Sequence, residues 1–130
     1  MTGTNVGSGG FEEVFSGGTA SNTTINGGTM ELTTGGSAGT GPITFQGTGG
    51  RLQLDDTSMP SNVISGFAAG DTINLAAVNF DPAGSATLGY GNLLKITENG
   101  SVYNLQLNPS QSFVGQCLST FLPTRTTVQT

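Results

Sequence analysis

Residues 9–14 read GGFEEV, and the pattern returns eighteen positions later as GGTMEL at residues 27–32. A third copy, GGRLQL, stands at residues 49–54, and two further glycine pairs lie between the copies. A fixed period of this kind indicates one structural unit that is stacked on copies of itself. We therefore expect the first half of this 130-residue chain to be a repeat protein, and much of it to be scaffold.

The residues that follow each glycine pair indicate short β-strands. In the second and third copies apolar and polar residues alternate, with Met30 and Leu32 in one and Leu52 and Leu54 in the other. Alternation with a period of two is typical of a strand with one buried face. The first copy ends on an aliphatic residue, Val14, without the full alternation.

The spacing of the repeat predicts a second strand and one insertion. Ile25 and Ile43 occupy the same phase of the eighteen-residue unit. The third copy is out of register, because residues 44–48 add about four positions. We expect this insertion to form a loop at one corner of the stack.

We assign the glycine pairs to the turns between strands. A strand that turns sharply and restarts needs positive φ, which glycine adopts at little steric cost. The predicted turn residues are Gly9, Gly10, Gly17, Gly18, Gly27, Gly28, Gly35, Gly36, Gly49 and Gly50. The alternative is a flexible linker of Gly, Ser and Thr, but a linker would not keep aliphatic residues in phase.

The pattern changes after Asp56, where the glycine pairs stop. Residues 63–75 predict two short strands around a turn at Gly70-Asp71, with the aliphatic residues of the second strand facing inward. Asp71 is most simply a turn residue that bonds its own backbone, and Asp81 has the same interpretation.

A hairpin is predicted near the end of the second half. Residues 93–97 and 102–107 flank Asn99-Gly100, a pair typical of tight β-hairpins. Residues 79–91 are rich in glycine and proline and predict a loop, and a last strand is expected to begin near Phe113.

These patterns together predict an all-β fold, a parallel β-solenoid with an irregular β cap. We expect solenoid repeats over residues 1–56, their continuation and cap over residues 57–116, and a threonine-rich tail that frays over residues 117–130. Cys117 is the only cysteine, so it forms no internal disulfide, and a lone cysteine is usually a small buried apolar residue.

Composition excludes several classes of function. Charged residues form only 8% of the chain, far below the roughly 25% of typical soluble proteins. A polar, uncharged surface of this kind favours a secreted or surface-displayed bacterial protein. The net charge of -5, with three Lys and Arg residues, argues against nucleic-acid and anionic-lipid partners. Histidine, the commonest general base and metal ligand, is absent.

Membrane insertion and an encoded export signal are also not expected. No apolar run approaches the roughly 20 residues needed to span a bilayer. Residues 1–4 lack the basic start and the apolar core of a signal peptide. If the protein is exported, we expect either that this chain is a piece of a longer protein or that export is directed from elsewhere.

Residues 5–54, with Ser-Gly-Gly-Thr-Ala at residues 16–20 and the recurring Gly-Gly-x-x-Glu-aliphatic pattern, resemble the passenger repeats of AIDA-type autotransporter adhesins. The resemblance implies a right-handed parallel β-helix on the bacterial surface that mediates self-association, adhesion and biofilm growth. It also implies glycosylation of serines, for which the candidates here are Ser8, Ser16, Ser21 and Ser37.

Residues 63–75 resemble a different group, the segments that close many bacterial solenoid and RTX-type secreted proteins. The similarity lies in Ile-Ser-Gly-Phe at residues 64–67, in Gly70-Asp71 and in Ile-Asn-Leu at residues 73–75. Asn74 stands where RTX proteins often carry an Asp, and the calcium-binding RTX nonapeptide is not present.

Two sets of carboxylates are candidate sites. Adjacent Asp55 and Asp56 suit a hard cation such as calcium, although solvated turn aspartates are the simpler interpretation. Glu13 and Glu31 share one phase of the repeat and are expected on one face, about 4.8 Å apart if their coils are adjacent. Paired carboxylates at about 5 to 9 Å hydrolyse glycosides, but the third copy has Gln53 at this position.

We therefore expect a non-enzymatic module without a cofactor that adheres to copies of itself or to host or bacterial surface glycans. An open solenoid end would present unpaired strand edges that template another copy. The alternatives are a carbohydrate-active solenoid enzyme that uses Glu13 and Glu31, and a calcium-stabilised structural module.

Overall fold

The computed structural model describes residues 2–68, 70–78, 83–111, 119–121 and 126–129, the last two ranges by their backbone alone. The strands are β1 (Asn5–Gly7), β2 (Phe11–Val14), β3 (Thr24–Asn26), β4 (Thr29–Leu32), β5 (Ile43–Gln46), β6 (Arg51–Leu54), β7 (Ile64–Ser65), β8 (Thr72–Leu75), β9 (Ser85–Leu88), β10 (Leu93–Glu98), β11 (Ser101–Gln106), β12 (Ser119–Phe121) and β13 (Thr126–Gln129). A 3-10 turn spans Tyr90–Asn92. Asp81, Cys117 and the strand expected near Phe113 lie outside the described residues.

The first eight strands form a parallel β-solenoid of about three turns, which confirms the predicted fold class. Odd-numbered strands stack in the order β1-β3-β5-β7, and even-numbered strands in the order β2-β4-β6-β8. Each coil therefore gives one strand to each sheet. A short third side is made by the parallel bridges Thr2–Ser21 and Thr19–Ser37.

Register between coils builds the core from columns of aliphatic residues. In the second sheet, Met30, Leu52 and Ile73 are successive partners and are fully buried. A neighbouring column contains Val14, Leu32, Leu54 and Leu75. The alternation that predicted half-buried strands thus places one residue of every two in a narrow core.

The glycine pairs occupy the corners, as predicted, and the two members of each pair have different roles. Every first glycine has positive φ, namely Gly9, Gly17, Gly27, Gly35 and Gly49. The second glycine of two pairs, Gly28 and Gly36, lies against the backbone of the preceding coil, and a Cβ built on Gly36 would collide with the carbonyl oxygen of Val14. Only glycine lets consecutive coils approach each other this closely.

The predicted spacing of the third coil was wrong in two respects. Ile25 pairs with Phe45, whereas Ile43 pairs with Ile64, so the two isoleucines do not share a phase. The offset between coils is 18 residues from β2 to β4, 20 from β3 to β5 and 22 from β4 to β6. The extra residues are thus divided between the two corners that flank β5, where Gly41 and Gly47 have positive φ.

The second half closes the stack with antiparallel structure. Strands β9, β10 and β11 form a three-stranded sheet, and Asn99 and Gly100 both have positive φ in the predicted hairpin turn. β9 lies within residues 79–91, for which the sequence predicts a loop. Ser-Ala-Thr-Leu at residues 85–88 forms a strand because β10 supplies an antiparallel partner.

The far end of each parallel sheet is covered. β13 pairs antiparallel with β8, and β12 pairs with β13, so these parts of the tail do not fray as the sequence predicts. In the other sheet Leu107 bridges Ile64. The side chain of Gln111 accepts from the amide of Gly66 and donates to the carbonyl of Phe67 at 3.0 and 2.8 Å.

Candidate functional site

The opposite end of the stack, formed by the first coil, is open. β1 and β2 are the outermost strands of their sheets, and among the described residues none pairs with their outer edges. Two shallow cavities of about 440 and 390 Å³ run along this coil and are lined only by residues 4–20. The first coil is therefore the surface on which a further strand finds unpaired backbone.

The backbone N–H and C=O groups of successive residues along β2 point to opposite edges of the strand. The carbonyls of Gly10 and Val14 accept hydrogen bonds from the next coil, at 3.1 and 3.0 Å. In a parallel ladder every second residue bonds the same neighbour. The N–H and C=O groups of Phe11, Glu13 and Phe15 therefore point to the open edge.

Two aromatic side chains stand on the outer face of the same edge. Phe11 is 60% exposed and Phe15 is 64% exposed. They alternate with Glu12 and Val14, which are buried. Large exposed apolar residues on an unpaired edge strand are what natural proteins usually avoid, because such an edge recruits another chain.

A carboxylate occupies a core position at this end. Glu12 is register partner of Met30, is only 7% exposed and accepts a hydrogen bond from Thr23 Oγ1 at 3.0 Å. Its second oxygen, Oε2, is buried without a hydrogen-bond partner among the described residues. Sequence reasoning missed Glu12, although its alignment with Met30 and Leu52 in the repeat was the available signal.

The side of the solenoid carries an acidic stripe. Glu13 and Glu31 are register partners on adjacent coils, as predicted, and Gln53 continues the column. Gln53 Nε2 donates to Glu31 Oε2 at 3.1 Å and to Asp55 Oδ1 at 2.9 Å. A hydrogen bond with Asp55, burial, and the negative charges of Asp55 and Glu13 together raise the pKa of Glu31 to about 7.

This stripe can share a proton but lies on an open face. With a pKa of about 7, the Glu31 carboxyl can hold or release a proton near neutral pH. It does not line any of four cavities, of about 320, 710, 440 and 390 Å³, that lie among the described residues. A substrate would therefore meet Glu31 on the outer surface of the sheet.

The two adjacent aspartates do not converge on one site. Asp55 is bonded to the acidic stripe, whereas Asp56 Oδ1 accepts from the amide of Ser58 at 3.2 Å and closes a turn. The parts of the chain that the structure describes contain no group of three or more acidic, His or Cys side chains that would hold a metal ion.

Asp71 joins two coils. It is buried, and its oxygens accept from the amides of Gly50 and Ala68, both at 3.1 Å. Burial raises the pKa of Asp71, and the two amide hydrogen bonds oppose that rise. Asp71 therefore bonds its own turn, as predicted, and in addition links that turn to the preceding coil.

The third side opens after the second coil. Asn62 Nδ2 donates to the carbonyls of Ala38, Gly39 and Gly41 at 3.3, 3.1 and 2.8 Å, where a strand would otherwise supply amides. Asn62 also lines a cleft of about 320 Å³, together with Leu32 and Met59. Asn62 thus links the segment before β7 to the corner between β4 and β5.

The four candidate glycosylation serines differ in accessibility. Ser8 and Ser16 are exposed. Ser21 Oγ accepts from the amide of Thr40 at 3.1 Å, and Ser37 Oγ accepts from the amide of Gly39 at 3.0 Å. Two of the four hydroxyls thus accept backbone hydrogen bonds, Ser21 from the next coil and Ser37 within its own turn.

Over the described residues there is no helix with the length and apolar character that crossing a membrane requires. Comparisons with protein-family models, curated proteins and solved structures gave no match. The identification of the chain as a β-solenoid therefore rests on its stacked parallel strands and glycine corners.

Proposed function

We propose that this chain is a non-enzymatic, secreted or surface-displayed bacterial module that adheres through its open first coil. Its partners are other copies of the chain or surface glycans. The observation that carries the proposal is the unpaired outer edge of β2 with Phe11 and Phe15 exposed on it.

The unpaired outer edge of β2 favours association at this end of the solenoid. A sheet edge with free N–H and C=O groups is a template for another strand unless charges, proline or a covering segment protect it. β2 contains no proline, and Glu13 is the only charged side chain on its outer face. At the far end the parallel sheets meet β13 and residues 107–111, which supply that cover.

Composition and resemblance support an extracellular setting. The surface is polar with few charges, and residues 5–54 resemble AIDA-type adhesin repeats. Ser8 and Ser16 are exposed near the first coil and are the accessible candidates for glycosylation. The RTX-like part of the resemblance corresponds to the last coil, where Ile73 and Leu75 extend the core columns.

Adhesion is tested with the chain attached to microbeads. Beads that carry the wild-type chain are expected to clump or to bind surfaces coated with bacterial or host glycans. The double variant Phe11→Ser, Phe15→Ser should lose both behaviours. Tyr90→Ser is the matched control, because Tyr90 is fully exposed on a turn away from the first coil. Adhesion that survives the double variant would refute the proposed surface.

A carbohydrate-active enzyme is the second candidate, and the pKa of Glu31 favours it. A carboxyl with a pKa of about 7 beside a second carboxylate is the arrangement of an acid and base pair in glycoside hydrolysis. Release of reducing sugar from a panel of acidic and neutral polysaccharides, abolished by Glu31→Gln and by Glu13→Gln, would establish this candidate. No release from any member of the panel would remove it.

A further inference from the structure

The open edge of β2 is complementary to itself. We propose that two copies of the chain pair head to head through β2, antiparallel and about a two-fold axis at Glu13, to form a closed dimer. This inference rests on the proposed function, since it uses the same open coil, and it specifies the partner and the geometry.

Backbone groups fit this pairing. In an antiparallel ladder, residues that exchange two hydrogen bonds alternate with residues that exchange none. With Glu13 on the axis, the bonded pairs are Phe11 with Phe15 and Glu13 with Glu13, which are the residues whose N–H and C=O groups face outward. The carbonyl of Phe15 also accepts from Gly18 at 2.8 Å, and its second lone pair remains for the partner.

Side chains fit the same register. Opposite residues of an antiparallel pair lie on the same face of the sheet. Phe11 of each copy would therefore face Phe15 of the other on the outer side, giving two aromatic cross-strand pairs. On the inner side Glu12 would face Val14, so that the buried carboxylates do not meet each other.

The two ends of the solenoid differ, and this difference limits the assembly to a dimer. A head-to-tail contact would need a parallel edge at the far end, but β8 is covered there by β13. A contact between like ends is two-fold symmetric and uses the edge of both copies. The outer edge of β2 is then occupied in both copies and is not available to a third copy.

One contact between like charges opposes the pairing, and its effect on dimer affinity can be measured. Glu13 would face its own copy across the axis, and Glu31 already lies beside it on the next coil. Removing the charge at residue 13 should therefore strengthen the dimer, and added salt should do the same by screening. An association driven by opposite charges would respond to salt in the reverse sense.

Sedimentation velocity over a wide range of concentrations tests the proposal. We expect a monomer–dimer equilibrium that Glu13→Gln tightens by roughly two- to fivefold, because one like-charge contact is removed. Phe11→Ser or Phe15→Ser should weaken it by roughly tenfold, because either change removes both aromatic pairs. Tyr90→Ser should leave it unchanged. Species that keep growing beyond a dimer would overturn the closed geometry, and so would a dimer that is indifferent to all three first-coil variants.

A crosslink tests the axis directly. In a background with Cys117→Ser, Glu13→Cys should give a disulfide-linked dimer, because Cα atoms of such a pair lie about 5.5 Å apart. Thr87→Cys, an exposed position on β9, should not crosslink. A monomer at every concentration, combined with bead adhesion that depends on Phe11 and Phe15, would refute the dimer and leave the proposed function standing.

Discussion

Glu12 places a carboxylate in a core column that later coils fill with Met30, Leu52 and Ile73. The informative perturbation is a double-mutant cycle, Glu12→Met with Thr23→Val. Thr23 is 1% exposed, and its hydroxyl donates to Glu12 Oε1, so the two polar groups satisfy each other inside the protein. The remaining oxygen of Glu12 is buried without a partner.

The magnitudes follow from the cost of burying an unpaired polar group, about 1–3 kcal/mol each. Thr23→Val leaves both carboxylate oxygens unpaired, and we expect it to lose about 2 kcal/mol. Glu12→Met removes one unpaired oxygen but leaves the Thr23 hydroxyl without its partner, so its net effect should stay within about 1 kcal/mol. The double variant removes every unpaired group and should gain about 1–2 kcal/mol over wild type.

Urea unfolding followed by circular dichroism measures the four free energies of unfolding. All four proteins are compared in a Phe11→Ser background at low concentration, because association would add to the apparent stability. The expected coupling is about 3–4 kcal/mol, and in a chain of this size each kcal/mol corresponds to a shift of about 4 °C in Tm. Additive effects, or a double variant less stable than wild type, would mean that Glu12 is not held in the core.

Four further predictions concern the coils and corners. Stability that depends on protonated Glu31 should be fully present below pH 4.5 and lost as pH rises through about 7, and Glu31→Gln should remove this loss from a plot of Tm against pH. Gly36→Ala should cost about 1–3 kcal/mol in urea unfolding, because its Cβ would meet the preceding coil, whereas Gly7→Ala has open space and should stay within about 0.5 kcal/mol. Asp71→Ala should cost about 2–4 kcal/mol in the same assay, because two buried amides lose their acceptor. Calcium and chelator should give the same Tm, because Asp55 and the aspartate after it are bonded in different directions.

Each of these four has a result that contradicts it. A Tm that rises through neutral pH would reverse the sign assigned to Glu31. Equal costs for the two glycine variants would mean that close coil contact is not what requires Gly36. A neutral Asp71→Ala would show that water replaces the carboxylate, and a Tm raised by calcium would restore the calcium-stabilised module as an explanation.

The glycine pairs made the solenoid predictable, and their spacing shows where prediction stops. Positive φ and close backbone approach both exclude side chains, so the corners are visible as Gly-Gly in the sequence. The residues inserted in the third coil are less predictable, because any surface corner can accommodate an insertion at small cost. Their division around β5 therefore depends on which register buries Phe45 beside Ile25, and that is a property of packing.

The sequence predicted what kind of site to expect, but it predicted only some of the residues that form it. An open solenoid end follows from the idea of a stack, and Glu13 beside Glu31 follows from the period. The cover at the far end does not, because β13 is distant in sequence from β8 and no local pattern marks it as a partner. The importance of Phe11 and Phe15 depends on that asymmetry, since exposed aromatics matter most at the uncovered end.

Glu13 also determines how strong the proposed pairing is. Natural edge strands often carry a charge that discourages pairing, and one carboxylate at the centre of β2 weakens a single contact without blocking the backbone on either side. A weak contact between two soluble copies becomes strong when many copies are displayed on one surface, because further contacts form at high effective concentration. A module of this kind would be monomeric when dilute and adhesive when crowded, which is the behaviour that a surface adhesin needs.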